Sequence, residues 1–269
     1  MAGRDTFKDQ GAEFLRSANA SATYNYQEYM PAATKELAGS EVRVLLDDGA
    51  RIDVRFAEDD LAFACGDGDA TGEEGSSSYQ AFRMGERIYF VTFLFEQDRS
   101  CVLLLDLGTS VATAIRGRRS ADGGIESAIT GGVVQGEADA PEGRHAAVSL
   151  AGTRIRNDYA HNVVYEHIYL NDRYETWLSL DGPQRGQADT EEYRAFKVAD
   201  HVYCTFWNEK VLTTQMTFLF DFAAGSCVCE VFGSTDGERV YNTIGASTTV
   251  IHSEIPELDT ARLSGLSAG

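Results

Sequence analysis

The sequence predicts an all-β protein: two antiparallel up-and-down β-barrels in tandem, produced by an internal duplication and preceded by a short helix. Self-similarity at a long, nearly fixed period indicates one structural unit built twice. Apolar and polar residues also alternate between turns rich in Gly, Asp and Asn, which is typical of strands joined by hairpins. The recurring motifs are Leu37–Ser40 with Leu150–Thr153, Tyr79–Arg83 with Tyr193–Lys197, and Leu105–Leu107 with Phe220–Phe222.

Residues 1–34 are predicted to form a helical appendage. Within Thr6–Ala20, Phe7, Phe14, Leu15 and Ala18 recur at the spacing of one amphipathic helix. We expect this helix to serve as a lid or plug.

Residues 35–140 form the first predicted barrel. The segments between its strands are too short for a crossover helix, so consecutive strands must be antiparallel. The strands are expected at Val42–Leu46, Ile52–Phe56, Leu61–Cys65, Tyr79–Met84, Arg87–Phe95, Cys101–Leu107, Val111–Ile115 and Ile125–Val134.

Residues 141–269 form the second predicted barrel, with a linker at Gly136–Gly143. A meander of about eight strands removes its exposed edges by closing on itself, and such a barrel holds packed side chains or one small ligand. One larger barrel shared by both copies is the alternative. The strands of the second copy are expected at Arg154–Tyr159, Val163–Leu170, Tyr174–Leu180, Glu192–Val198, His201–Glu209, Leu212–Phe222, Ser226–Phe232 and Arg239–Val250.

Composition excludes several classes of partner. A net charge of −19 and a pI near 4.6 argue against binding nucleic acid or an anionic membrane. No apolar run is long enough to span a bilayer, and the N-terminus lacks the apolar core of a signal peptide, so we expect a cytoplasmic protein. The five cysteines are scattered in apolar runs, which predicts reduced thiols and not a disulfide framework or a metal site. A homodimer is left open.

The two copies differ most in the residues expected to face the barrel interior. In the first copy three apolar residues of the second strand alternate with charged ones, so their inward direction is unambiguous. The second copy has polar or aromatic residues there, which is costly unless they meet hydrogen-bond partners or a ligand. The alignment pairs Ile52 with Tyr165, Val54 with His167, Phe56 with Tyr169, Leu61 with Tyr174, Leu94 with Trp207 and Glu96 with Glu209.

This wall predicts acid and base chemistry. No Gly-x-Ser-x-Gly, His-x-x-x-His, dinucleotide or P-loop motif is present, so no metal or cofactor is expected. We expect His167 to titrate near neutrality and to act as acid or base with Glu209 as its counterpart, while Tyr165 and Tyr169 donate hydrogen bonds to a developing oxyanion. The expected substrate-binding residues are Tyr174, Glu175, Tyr203 and Trp207.

Each of these side chains alone is typical of a hydrogen-bonded core residue, and the whole face could pack on the other barrel. The set together is typical of a small-molecule pocket.

The motifs resemble those of a known family. The tandem Leu-Ala-Gly-Ser/Thr, the Tyr-x-Ala-Phe strand, the strands Tyr89–Glu96 and Tyr203–Glu209, and the apolar-Asp-apolar strand are similar to the MoaF family over about Leu37–Ile251. The resemblance implies lipocalin-like calycin barrels and, through the family's name, an association with molybdenum cofactor biosynthesis. Single barrels of similar architecture include the phenolic acid decarboxylases, which use buried Tyr, Arg and Glu without a cofactor. The equivalent Arg is not identifiable here.

Two functions remain in view. The first is a cofactor-independent lyase, isomerase or cyclase that acts on a small apolar or aromatic molecule inside the second barrel. The alternative is a non-catalytic lipocalin-like binding or carrier protein for such a molecule, linked to molybdenum cofactor biosynthesis as the family name implies.

Overall fold

Two closed eight-stranded antiparallel barrels follow one another along the chain. The structure is a computed structural model that describes residues 24–66, 72–121, 123–135, 143–235 and 238–259. In the first barrel, strands β1 to β8 pair in sequence order and β8 closes on β1. In the second, β10 to β17 pair in order, β17 closes on β10, and the short strand β9 adds to β13. The predicted tandem barrels are confirmed, and the alternative of one larger barrel is wrong.

The strands correspond closely to those predicted from alternation. Those of the first barrel are β1 (Glu41–Leu46), β2 (Arg51–Phe56), β3 (Asp60–Gly66), β4 (Glu74–Arg83), β5 (Ile88–Glu96), β6 (Arg99–Asp106), β7 (Val111–Arg119) and β8 (Ile125–Gln135). The others are β9 (Ala146–Val148), β10 (Arg154–Ala160), β11 (Val163–Tyr169), β12 (Tyr174–Asp181), β13 (Ala188–Ala199), β14 (Val202–Asn208), β15 (Thr214–Asp221), β16 (Ser226–Thr235) and β17 (Glu238–His252).

The interior of the first barrel is apolar and closely packed. Three phenylalanines from β3 and β5 contact one another, with ring centroids 5.9 Å apart for Phe63 and Phe93, 5.0 Å for Phe63 and Phe95, and 5.1 Å for Phe93 and Phe95. Aromatic pairs at these distances add to the free energy gained by burial. We call this cluster the phenylalanine triad. It fills the interior of the first barrel at positions where the second barrel carries other side chains.

The two barrels pack against each other through the outer faces of their middle strands. A third hydrophobic cluster contains residues of both copies: Phe82, Met84, Ile88, Phe90, Val102, Leu104 and Ile115 from the first, and Val198, Val202, Cys204, Phe206, Leu219 and Val228 from the second. At Gly117 the barrels approach so closely that a Cβ atom would lie 2.7 Å from Phe232 Cδ1 and 2.9 Å from Gln215 Oε1. This buried apolar contact explains why β5, β6, β14 and β15 are apolar on both faces.

One carboxyl group is buried within the interface. Glu230 of β16 accepts hydrogen bonds from Thr92 Oγ1 at 2.8 Å, Gln215 Nε2 at 3.2 Å and Ser100 Oγ at 3.4 Å. Burial outweighs these bonds and raises the pKa of Glu230 to about 7.

The N-terminal segment crosses both barrels. Near the second, Tyr29 N donates to Tyr159 O at 3.1 Å and Gly245 N donates to Tyr26 O at 3.1 Å; near the first, Thr34 N donates to Ala81 O at 2.7 Å. The predicted helix at Thr6–Ala20 and most of the predicted linker lie outside the described residues. Within the part of the chain that the structure describes, no helix has the length and apolar character needed to cross a membrane.

We predict that Gly117→Val destabilises the protein by about 1–3 kcal/mol, because its side chain must displace the buried Phe232 ring. The matched control is Gly143→Val, since a Cβ atom at Gly143 has no heavy atom within 4 Å. Urea unfolding of both variants measures the difference. Equal midpoints for the two variants would show that the interface is not tightly packed at Gly117.

We also predict that Glu230→Gln flattens the pH dependence of stability. Because the pKa of Glu230 is raised from 4.5 to about 7 on folding, its stabilising contribution is full below about pH 4.5 and is lost as the pH rises through about 7. The variant should remove up to about 3 kcal/mol of that decline, measured as the free energy of unfolding across this range. Exposed Glu58→Gln is the control and should retain the wild-type slope; an unchanged slope for Glu230→Gln would contradict the prediction.

Candidate functional site

Strand pairing shows which positions of the two copies are equivalent, and it corrects one predicted pair. Leu61 lies opposite Phe56 in the first barrel, and Glu175 lies opposite Tyr169 in the second. Glu175, and not Tyr174, therefore takes the inward place of Leu61. Tyr174 is 38% exposed, and its ring lies against the Arg173 guanidinium. The prediction of Tyr174 as an inward substrate-binding residue is wrong.

The equivalents of Trp207 and Glu209 are also corrected. Phe93 pairs with Tyr79 as Trp207 pairs with Tyr193, so Trp207 replaces Phe93 and not Leu94. Two residues further along, Glu209 takes the inward place of Phe95 and not the outward place of Glu96. By the same register, Trp177 replaces Phe63, since each is paired to the equivalent residue of the preceding strand.

The phenylalanine triad of the first barrel is thus a Trp–Trp–Glu group in the second. Trp207 Nε1 donates to Glu209 Oε1 at 3.1 Å, and Trp177 Nε1 donates to Glu209 Oε2 at 3.3 Å. Each carboxylate oxygen therefore accepts one indole hydrogen bond, which fixes the plane of the carboxyl group. We call these three residues the Trp–Trp–Glu group.

This group lies in the wall of a cavity of about 600 Å³ inside the second barrel. The cavity size is within the range of small-molecule sites, and most of its wall is apolar or aromatic, with few polar groups. The lining residues are Tyr26, Tyr159, Tyr165, His167, Trp177, Gln184, Trp207, Glu209, Leu212, Thr214, Met216, Phe218, Val231, Thr235, Glu238, Val240, Asn242 and Ile244.

Glu209 is the lining residue whose carboxyl group titrates near neutrality. Burial raises the pKa of Glu209 to about 7, and the two indole hydrogen bonds oppose that shift without cancelling it. The carboxyl group therefore exchanges a proton at physiological pH. This is the property required of a general acid or base.

His167 does not have the protonation behaviour expected from the sequence. Burial lowers its pKa to about 3, so the imidazole is neutral at physiological pH and the prediction that it titrates near neutrality is wrong. Its ring centroid lies 5.3 Å from that of Trp207 and 5.2 Å from that of Phe218. His167 does line the cavity beside the Trp–Trp–Glu group, as the sequence predicts.

Hydroxyl groups line another part of the wall. Tyr165 OH donates to Gln184 Oε1 at 2.8 Å, and Tyr26 OH lies 3.1 Å from Tyr165 OH. Because Tyr165 uses its proton on Gln184, Tyr26 is the donor in the second bond. Sequence reasoning missed Tyr26, Gln184 and Tyr159, since they lie on the N-terminal segment, in the β12–β13 loop and near the end of β10.

Tyr169 and Tyr203, like Tyr174 and Glu175, are predicted site residues that do not line the cavity. Tyr169 is buried against Tyr193, with ring centroids 4.9 Å apart. Tyr203 OH donates to Glu257, which also accepts from Lys197 Nζ at 2.9 Å. The first copy repeats this arrangement: Tyr89 OH donates to Glu36, and Glu36 also accepts from Arg83 Nη1. Tyr203 is therefore placed as a structural residue of the barrel end.

Further carboxyl groups lie behind the cavity wall. Glu175 is fully buried, and neither of its oxygens has a hydrogen-bond partner among the described residues. It lies directly opposite Glu191 across β12 and β13. Burial, reinforced by Glu209 and Glu191, holds the pKa of Glu175 well above its usual range. Burial raises the pKa of Glu191 to about 8.

The described ranges contain no group of three or more His, Cys, Asp or Glu side chains arranged to hold a metal ion. All five cysteines are free and buried. The site brings together an aromatic cavity of about 600 Å³, one carboxyl group whose pKa lies near 7 and the tyrosine hydroxyls of its wall.

Comparisons with known proteins relate the whole chain to one family. Residues 19–120 match the model of the MoaF N-terminal domain, and residues 144–254 match that of the MoaF C-terminal domain. Protein MoaF of Klebsiella aerogenes is 38% identical over 73 residues, which are 27% of this chain and 28% of that protein.

A crystal structure from Burkholderia vietnamiensis, described as "a putative beta-lactamase", shares 20% identity over 39% of this chain and 99% of its own. Its TM-score of 0.35 is too low to establish a common fold. The two domain models, in contrast, together cover more than half of the chain in the order of its two barrels, so this protein belongs to the MoaF family.

Proposed function

We propose that the second barrel is a cofactor-independent enzyme site, a lyase, isomerase or cyclase for a small aromatic or apolar molecule, in which Glu209 transfers the proton. One observation carries the proposal. Glu209 stands inside an aromatic cavity where the first copy has Phe95, and two indole donors hold it. A carboxyl group that served packing alone would be replaced by an apolar side chain at lower cost in stability.

The geometry suits a single group that both removes and returns a proton. A pKa of about 7 makes both forms of Glu209 available at physiological pH, which is near the optimum for a general acid–base. The indole hydrogen bonds hold the carboxyl plane, so the oxygen facing the cavity meets the substrate without reorganisation. Such a group moves a proton between two atoms of one substrate, as isomerisation, cyclisation and elimination require.

The other polar lining residues would orient the substrate. The Tyr26 hydroxyl, which donates to Tyr165 in the structure, would have to turn toward the ligand to donate to an oxygen that gains negative charge. His167, being neutral, can donate or accept a hydrogen bond but cannot supply a positive charge. The rings of Trp207 and Phe218, stacked on each other with centroids 5.0 Å apart, both line the cavity and would contact an unsaturated substrate.

The second candidate is a binding or carrier protein that uses the same cavity. One observation favours it. Among the lining residues with a shifted pKa, Glu209 is the one whose pKa lies near 7. The site therefore has one proton-transferring group and not a pair. A place in molybdenum cofactor biosynthesis rests on the family name alone for either candidate.

The titration of Glu209 should be directly observable. Both tryptophans of the chain donate to Glu209, so intrinsic tryptophan fluorescence reports on the immediate surroundings of this group. We predict a change in emission with a midpoint near pH 7, lost in Glu209→Gln. Glu230→Gln is the matched control, because Glu230 has a similar pKa but does not line the cavity. A midpoint that survives in Glu209→Gln would assign the transition to another group.

Turnover distinguishes the enzyme from the carrier. We expect the wild-type protein, incubated with a metabolite extract of its host, to convert one compound into an isomer or into two fragments, detected by mass spectrometry. Glu209→Gln should slow this conversion by about 10²-fold or more, since it removes the general acid–base, while Glu230→Gln should retain it. Retention of a small molecule in native mass spectrometry with no conversion would favour the carrier instead.

A further inference from the structure

The cavity of the second barrel has an unusual charge balance. Its described lining contains the carboxyl groups of Glu209 and Glu238 but no lysine or arginine. Sites for carboxylates and phosphates are normally provided with arginine, lysine or backbone donors at a helix end. The wall of this cavity therefore disfavours an anionic ligand.

The region behind Glu209 makes the cavity still more acidic. Lys210 is the basic group nearest this region; its Nζ lies 3.6 Å from Asp189 Oδ1 and 3.6 Å from Glu191 Oε2. It is 61% exposed, so solvent screens its charge. The groups with titratable protons or charge that face Glu209 from the surrounding strands are Tyr165, His167, Glu175, Asp189, Glu191, Lys210 and Glu238. The environment is thus negative or neutral on every side but that of Lys210.

The walls beside Glu209 are aromatic. The rings of Trp177, Trp207, Tyr165 and Phe218 line the same cavity as its carboxyl group. The faces of aromatic rings attract organic cations, and this attraction grows when the cation is removed from water. An aromatic wall that ends at one carboxylate is the usual composition of a site for an ammonium group.

We propose that the ligand of this cavity carries a protonated amine on an aromatic or apolar body, with the ammonium group donating to Glu209. This inference rests on the proposed function, since it names the substrate class of the same site. Each oxygen of Glu209 accepts one indole hydrogen bond and keeps a further lone pair for the ligand. Glu175, buried with neither oxygen paired among the described residues, is a further acidic group beside Glu209.

Binding and protonation of Glu209 then compete. An ammonium group beside the carboxylate favours its ionised form, so the amine should bind more tightly at a pH above the pKa of Glu209 than below it. The same contact allows a proton to pass from the ammonium nitrogen to the carboxylate: the N–H bond breaks, the O–H bond forms, and a neutral amine faces a neutral acid.

Three probes that share one ring test the inference: benzylammonium, benzyl alcohol and benzoate. With the full chain, monitored by calorimetry or tryptophan fluorescence, we expect benzylammonium to bind about tenfold or more tightly at about pH 8 than at about pH 5.5. Benzyl alcohol should bind more weakly and without this pH dependence, and benzoate most weakly. Benzoate binding as tightly as benzylammonium would overturn the inference.

Variants assign the effect to Glu209. Glu209→Gln should lose about tenfold or more of the affinity for benzylammonium and keep that for benzyl alcohol, whereas Glu230→Gln should match the wild type. Because Glu191 ionises in the same pH range, Glu191→Gln is measured as well and should retain the pH dependence. Loss of that dependence in Glu191→Gln but not in Glu209→Gln would contradict the assignment.

The outcome is separable from that of the turnover experiment. If the wild type converts a metabolite and Glu209→Gln does not, but benzylammonium fails to bind, the amine class is wrong and the acid–base site remains. If benzylammonium binds through Glu209 and no metabolite is converted, the amine class stands and the site belongs to a carrier.

Discussion

Closure of the two sheets is the constraint on which the rest of the structure depends. In a closed barrel every strand has a neighbour on both sides, so each side chain has one direction, inward or outward, and a shift by one residue would reverse all of them. Copying the strand order therefore copies the set of inward positions. The phenylalanine triad and the Trp–Trp–Glu group occupy the same three positions, so the second barrel changes its interior chemistry on an unchanged backbone plan.

That change carries an energetic cost which the tandem arrangement offsets. The second barrel buries Glu175 and Glu209 where the first has Leu61 and Phe95, so each exchanges apolar packing for a desolvated polar group, and it buries Glu191 where the first has Ser77. The outer faces of β14, β15 and β16 recover apolar burial against the first barrel. The first barrel keeps an apolar interior, so its buried side chains contribute stability through packing.

Alternation together with the internal repeat was sufficient to predict the strands, the two barrels and the inward direction of Tyr165 and His167. It could not locate the single-residue insertion between the copies. The turn from Tyr169 to Glu175 is one residue longer than that from Phe56 to Leu61, and Asn171 accommodates it by accepting the backbone N–H groups of Arg173 and Tyr174. If the insertion is placed one hairpin too late, the alignment assigns Tyr174 to an inward position and does not assign Trp177 to one.

The pKa of His167 could not be predicted either, because a low pKa depends on which rings surround the imidazole after folding. The inward direction of Trp177 can be predicted once the register is known, because Trp177 shares the inward face of β12 with Glu175 and Ser179. Tyr26 gave no such signal, because its place in the wall depends on backbone contacts between the N-terminal segment and β17.

Glu209 and Glu230 together show what marks a functional carboxyl group. Burial raises the pKa of both to about 7, so the shifted pKa alone does not distinguish them. Glu230 accepts hydrogen bonds from three side chains drawn from both barrels and does not line the cavity of the second barrel, so it is a fixed polar contact of the interface. Glu209 is held by two indoles that orient it yet leave it open to a cavity able to contain a small molecule. A buried acid becomes a candidate catalyst when its surroundings position it and leave part of it for a ligand.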